Sequence, residues 1–211
     1  MPRIMWREFE PYNPLDRDQL AESVRRRLES QPREPLPPAH FLGGGLYALY
    51  YTGPFVAYQR LADTDLPIYI GRSAPSATRM GAERDTSKKL FRRLREHAKS
   101  VQQVGNLDLD DFACRFLVVE DPWIPLGEYA LLREYHPVLW NTVVDGFGSH
   151  AQGRGRDEGE RSKWDTLHPG RPGPMKLYEN RLGAAAIGRL ADEALAARER
   201  GDHADFEVVE E

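Results

Sequence analysis

Two tyrosine-bearing segments, Gly45-Leu46-Tyr47-Ala48-Leu49-Tyr50 and Pro67-Ile68-Tyr69-Ile70-Gly71-Arg72, hold the first side chains in this sequence that could do chemistry together. Arg93 and His97 follow, then Glu128 and Asn141. In that order they are the residue types a one-metal phosphodiesterase needs: a carboxylate for the metal, a phenol to handle a proton, and cations to steady a phosphate. A phenol with a pKa near ~10 is a poor base at neutral pH. It becomes useful where cations stabilise the phenolate or where it relays a proton. Arg93 and His97 stand four residues apart, so on a helix both project from one face. Arg92 and Arg95 fall on other faces.

The elements that must position these groups can be read from periodicity and punctuation. Leu20, Val24 and Leu28 form a one-sided stripe over residues 16–30, which predicts an amphipathic helix. Its basic run Arg25-Arg26-Arg27 is expected to face solvent. The proline-rich stretch 31–38 predicts a semi-rigid polyproline-type linker. Gly43-Gly44-Gly45 opens a strand over 46–51, and Thr52-Gly53-Pro54 breaks it. A second strand at 67–71 reads as its antiparallel hairpin partner, which would bring the Tyr47 and Tyr69 hydroxyls to one sheet edge. A helix capped by Thr86 or Ser87 runs to about residue 101. A third strand spans 112–119, and a helix over about 126–135 stops before Pro137, with Leu131, Leu132 and Tyr135 toward the core. A long irregular segment extends to about residue 173, where Trp164 and Leu167-His168-Pro169 hint at anchoring, and an alanine-rich helix covers about 182–198. The pattern predicts an α+β fold: a three-stranded antiparallel sheet flanked by helices, with an N-terminal helix and a C-terminal loop and helix added. The expected division is 1–41 (helix and linker), 42–145 (core) and 146–211 (long irregular segment and last helix).

Composition narrows the classes. At 211 residues, 40% hydrophobic and 29% charged, the chain has the make-up of an ordinary globular protein. No apolar run reaches the ~20 residues of a membrane span, and the start lacks a signal-like apolar core, so a cytoplasmic location is expected. Cys114 is the only cysteine, which excludes an internal disulfide or a cysteine-based zinc site. The net charge is −4, yet residues 68–100 carry nine basic against three acidic side chains. A local basic face of this kind suits a phosphate backbone. The scattered histidines offer no H-E-x-x-H spacing, Gly43-Gly44-Gly45 precedes a strand rather than opening a helix, and there is no Walker-type lysine or Gly-x-Ser-x-Gly.

Taken together, Gly45-Leu46-Tyr47, Tyr69-Ile70-Gly71, Arg93, His97, Glu128 and Asn141 resemble the GIY-YIG nuclease superfamily, whose members hydrolyse DNA phosphodiesters with a divalent metal. The first motif is degenerate, with leucine in place of isoleucine; the second is intact. The resemblance implies that one tyrosine helps activate water while the other positions phosphate, with Tyr47 favoured as the base. It implies phosphate contacts from Arg72 and Arg93 and donation by His97 to a phosphate or leaving oxygen. Glu128, nine residues before Pro137, corresponds to the metal-binding carboxylate for Mg2+, with Mn2+ as a substitute. One carboxylate with waters and phosphate is an ordinary magnesium site. Glu134 lies on the wrong helix face for this pattern. Asn141, four residues after Pro137, corresponds to an asparagine that braces the site by hydrogen bonds, although the spacing is one residue longer than in many relatives.

The similarity narrows at 46–53, 95–100 and 140–148, which look like small type II restriction endonucleases that cut the palindrome CCGCGG. This implies double-stranded DNA as substrate, a homodimer, and a cognate DNA methyltransferase in the same system. Lys99, Arg154, Arg156, Arg161 and Lys163 are further DNA-binding candidates, the last four for reading guanines in the major groove. A DNA-binding module that no longer cuts and a nuclease for branched or damaged DNA stand as alternatives.

Overall fold

The computed structural model describes residues 17–73, 87–148 and 159–202. Helix α1 (Arg17–Glu29) leads through a two-residue strand, β1 (Glu34–Pro35), to β2 (Gly45–Tyr51). A 3-10 turn over Val56–Leu61 precedes β3 (Tyr69–Ser73), and then come α2 (Lys89–Gln102), β4 (Phe112–Val118) and α3 (Ile124–Glu134). Helices α4 (Leu139–Thr142), α5 (Lys163–Leu167) and α6 (Ala184–Glu199) follow.

The strands form one antiparallel sheet in the order β1-β4-β2-β3. Every residue of β2 is buried, because it lies between two strands and has a layer of helices on each face. Side chains alternate across a strand, so Tyr47, Leu49 and Tyr51 enter the core that includes residues of α2, α4 and α6. Leu46, Ala48 and Tyr50 enter a second core with Leu28 of α1 and Leu131 of α3. The architecture is α+β, as the periodicity predicts, with one strand more than expected. Residues 31–38 are not a simple spacer, because Glu34 and Pro35 pair with Cys114 and Ala113. Leu36 beside them is buried, which anchors the segment, and β1 lies at the sheet edge, where a proline without an N–H is tolerated.

Two other expectations change. The Ser87 hydroxyl comes only to 3.5 Å of the Lys89 N–H, so α2 starts without a good side-chain cap; Thr86 lies outside the described residues. Arg25 does not face solvent alone: it pairs with Glu22, Glu29 and, at 3.3 Å, with Glu134. With the Tyr135 hydroxyl donating to Glu29 at 2.6 Å, this ties α1 to α3. No described helix is long and apolar enough to cross a membrane.

Candidate active site

Register sets the first part of the site. Tyr47 stands opposite Gly71 across the β2–β3 pair, and Leu49 opposite Tyr69. A Cβ at Gly71 would lie 2.4 Å from the Tyr47 hydroxyl oxygen, so the glycine of the second motif makes room for the phenol of the first. A similar fit recurs downstream, where a Cβ at Gly148 would lie 2.1 Å from the Tyr69 hydroxyl. Each phenol is thus laid against a residue without a side chain.

Helix α2 supplies the next groups. Its buried stripe includes Leu90, Leu94, His97 and Val101, which sets His97 into the core and Arg93 at its margin. His97 Nε2 and the Tyr47 hydroxyl are 2.6 Å apart, while Arg93 Nε donates to the same hydroxyl at 3.4 Å. Arg93 Nη2 donates to the Gly148 carbonyl at 2.6 Å. Phe147 stacks on His97, with ring centres 4.7 Å apart, and meets Tyr69 edge-on at 5.2 Å.

Burial governs the electrostatics. It holds the Tyr47 phenol well above its ordinary range; Tyr69 adds to this and Arg93 opposes it without prevailing. Burial also raises Tyr69, again against Arg93. For Arg93, burial works against the charge, but the phenol oxygens of Tyr47 and Tyr69 outweigh it and the guanidinium stays cationic. The resting site therefore holds protonated phenols beside a cation. Tyr47 is wholly enclosed, whereas Tyr69 is 8% exposed.

Glu128 projects from α3 and pairs with Arg72 Nε at 2.7 Å. Its side chain is 23% exposed and that of Arg72 is 43% exposed, so this is the open flank. Burial raises the Glu128 carboxyl, against the pull of Arg72. The Glu128 charge also acts on Tyr69, which joins this flank electrostatically to the phenols. Asn141, at the short helix α4, grips β3: its Oδ1 accepts from the Ile70 N–H at 2.9 Å, and its Nδ2 donates to the Ile70 carbonyl at 2.8 Å. Both outward-facing backbone groups of Ile70, between Tyr69 and Gly71, are satisfied by one amide.

A metal would find one half-buried carboxylate here. No group of three histidine, cysteine or acidic side chains that could hold a metal occurs among the described residues. A single carboxylate is a donor set that suits a hard, largely hydrated cation such as Mg2+, and among the described residues no zinc-type cage forms at Glu128.

The structure brings Tyr47, Tyr69, Arg93 and His97 into one cluster, with Glu128 and Arg72 on its open side and Asn141 behind β3. The outlying DNA candidates fare differently. Lys99 is exposed six residues beyond Arg93, on another face of α2. Arg161 Nη2 donates to the Met175 carbonyl at 3.3 Å, and Lys163 pairs with Asp145 at 3.3 Å, so both are engaged within the chain. Arg154 and Arg156 lie outside the described residues. Residue-by-residue reasoning does not find Phe147 and the Gly148 carbonyl as site groups. The available signal is an aromatic flanked by two glycines just after Asn141.

An antiparallel sheet with a tyrosine on each of two adjacent strands, backed by an arginine–histidine helix and flanked by a helix bearing one glutamate, is a GIY-YIG nuclease core. The Eco29kI GIY-YIG domain family model matches residues 39–195, and the chain belongs to that family of restriction endonucleases. It is accordingly a restriction-type nuclease, with DNA as its substrate. No curated protein matches the chain.

Proposed function

We propose that the chain is a type II site-specific deoxyribonuclease of a restriction-modification system. It acts as a homodimer on the palindrome CCGCGG, with a cognate methyltransferase protecting the host DNA. The observation that carries the catalytic part is the Tyr47 hydroxyl held between His97 Nε2, at 2.6 Å, and Arg93 Nε, at 3.4 Å. The specificity is supported by the similarity at 46–53, 95–100 and 140–148. A palindrome calls for two-fold symmetry and two cutting sites.

In this mechanism the attacking water gives its proton to the Tyr69 hydroxyl, which hands its own proton on to the Tyr47 hydroxyl. Tyr47 passes its own proton to His97 Nε2, so no standing phenolate is required, in keeping with the raised phenols. Arg93 keeps Nη2 on the Gly148 carbonyl and turns Nη1 from the exposed Glu96 to the scissile phosphate, offsetting its growing charge. Arg72, on the open flank, turns from Glu128 to a phosphate oxygen. Mg2+ or Mn2+ held by Glu128 with waters and phosphate would supply positive charge to the reacting group. Asn141 keeps β3, and with it Tyr69, in register.

The test is digestion of plasmid DNA by the purified chain with Mg2+, beside Glu128→Ala. Discrete fragments ending at CCGCGG, absent with Glu128→Ala, are expected. Fragments mapping to another sequence would refute the proposed site. No cleavage with any of several divalent metals, despite intact DNA binding, would refute the enzyme.

A further inference from the structure

Arg171 lies outside every motif and is 7% exposed. Its guanidinium forks onto Asp165, Nε to Oδ1 at 2.6 Å and Nη2 to Oδ2 at 2.7 Å. Asp165, 4% exposed, is completed by the Ser162 hydroxyl, which donates to Oδ2 at 2.7 Å. The guanidinium stacks over Trp164, 4.5 Å from the ring centre. Its remaining donors reach the two carbonyls before Gly148: Nη1 to Phe147 at 3.0 Å and Nη2 to Gly146 at 2.9 Å.

A buried ion pair is a poor device for stability alone, since apolar residues of similar size often do as well. What it adds is direction, because the planar fork fixes the orientation of each acceptor. Here the acceptors belong to a turn that makes three contacts with the cluster. Phe147 stacks on His97, Gly148 gives its carbonyl to Arg93, and the backbone of Gly148 lies against the Tyr69 hydroxyl. A turn displaced by an ångström would move all three.

We infer that Arg171, held by Asp165, is a positioning residue for catalysis: it clamps the 146–148 turn and thereby sets His97, Arg93 and Tyr69. This rests on the reading that the cluster does the chemistry. Its test uses the full chain, with single-turnover cleavage of plasmid DNA, DNA affinity measured by anisotropy in Ca2+, and the NMR shifts of the His97 ring protons, which the stacked Phe147 displaces. The variants are Arg171→Lys, His97→Ala and Leu195→Ala; Leu195 is buried on α6 and serves as a destabilised control. Arg171→Lys is expected to lower the cleavage rate about 10²-fold, the typical effect of misplacing catalytic groups by an ångström, with DNA affinity within about twofold. It should move the His97 shifts, whereas Leu195→Ala should change neither rate nor shifts well below its melting point. If Arg171→Lys and Leu195→Ala lose rate equally, or Arg171→Lys cuts at the wild-type rate while His97→Ala is dead, the clamp is refuted. If His97→Ala cuts at the wild-type rate, the reading of the cluster itself fails.

Discussion

Asn141 offers a test that needs neither metal nor DNA. Its amide supplies both an acceptor and a donor to the backbone of Ile70, at 2.9 and 2.8 Å, on an edge strand where no neighbouring strand can do so. Asn141→Ala deletes two hydrogen bonds, each worth about 0.5–1.5 kcal/mol net. The expected loss is therefore about 1–3 kcal/mol, or roughly 2–12 °C in melting temperature for a chain of this size. Asn141→Asp is the sharper variant. An ionised carboxylate can still accept from the Ile70 N–H, but its other oxygen faces the Ile70 carbonyl without a proton between them. A protonated Asp restores the donor. The folded-state pKa of the new carboxyl should thus rise above its unfolded value of about 3.9. A raised acid pKa means that the folded state binds the proton more tightly, so the stabilisation is complete below about pH 4 and is lost as pH rises through the folded pKa. Urea melts of wild type and Asn141→Asp should therefore show a gap that is largest at pH 7 and narrows toward about pH 4. A gap that stays constant or widens on acidification would overturn the brace, as would Asn141→Ala within about 0.5 kcal/mol of wild type. Because β3 carries Tyr69 and Arg72, both variants should also cut DNA more slowly.

Gly148→Ala places a Cβ 2.1 Å from the Tyr69 hydroxyl and 3.4 Å from Arg93 Nη2. We expect the cleavage rate to fall about 10²-fold and stability to fall by about 1–3 kcal/mol, measured by single-turnover kinetics and urea unfolding; wild-type rates would show that the turn is free to yield. Glu128→Gln should raise the melting temperature at pH 7 while abolishing cleavage. The Glu128 carboxyl is raised by burial, so its ionised form opposes folding above the unfolded pKa of about 4.3, and the gain should shrink as pH falls through the raised folded-state value and be gone below about pH 4.3. A lower melting temperature at pH 7 would mean that the ion pair with Arg72 outweighs the burial.

Local chemistry explains which parts of this site are legible in the sequence. Alternation along Leu46-Tyr47-Ala48-Leu49-Tyr50 assigns its residues to two faces, and i, i+4 spacing puts Arg93 and His97 together, because both depend on periods of a few residues. The fourth strand escapes that reading: Glu34 and Pro35 form it only because β4, some eighty residues later, presents an edge. The basic residues after Asn141 have partners that a charge pattern does not show. Arg161 and Lys163 look like free cations in a charged loop, yet a charge pattern does not reveal a carbonyl at Met175 or a carboxylate at Asp145. The burial of Tyr69 is equally hidden, since Phe147 and Gly148 lie against it, and their turn is held by Arg171 from 24 and 25 residues away. The types of the reacting groups are therefore written locally, while their directions are set by distant residues whose own types suggest no chemistry. A substitution at Arg171 or Asn141 should accordingly slow cleavage without touching any group that handles the proton or the phosphate.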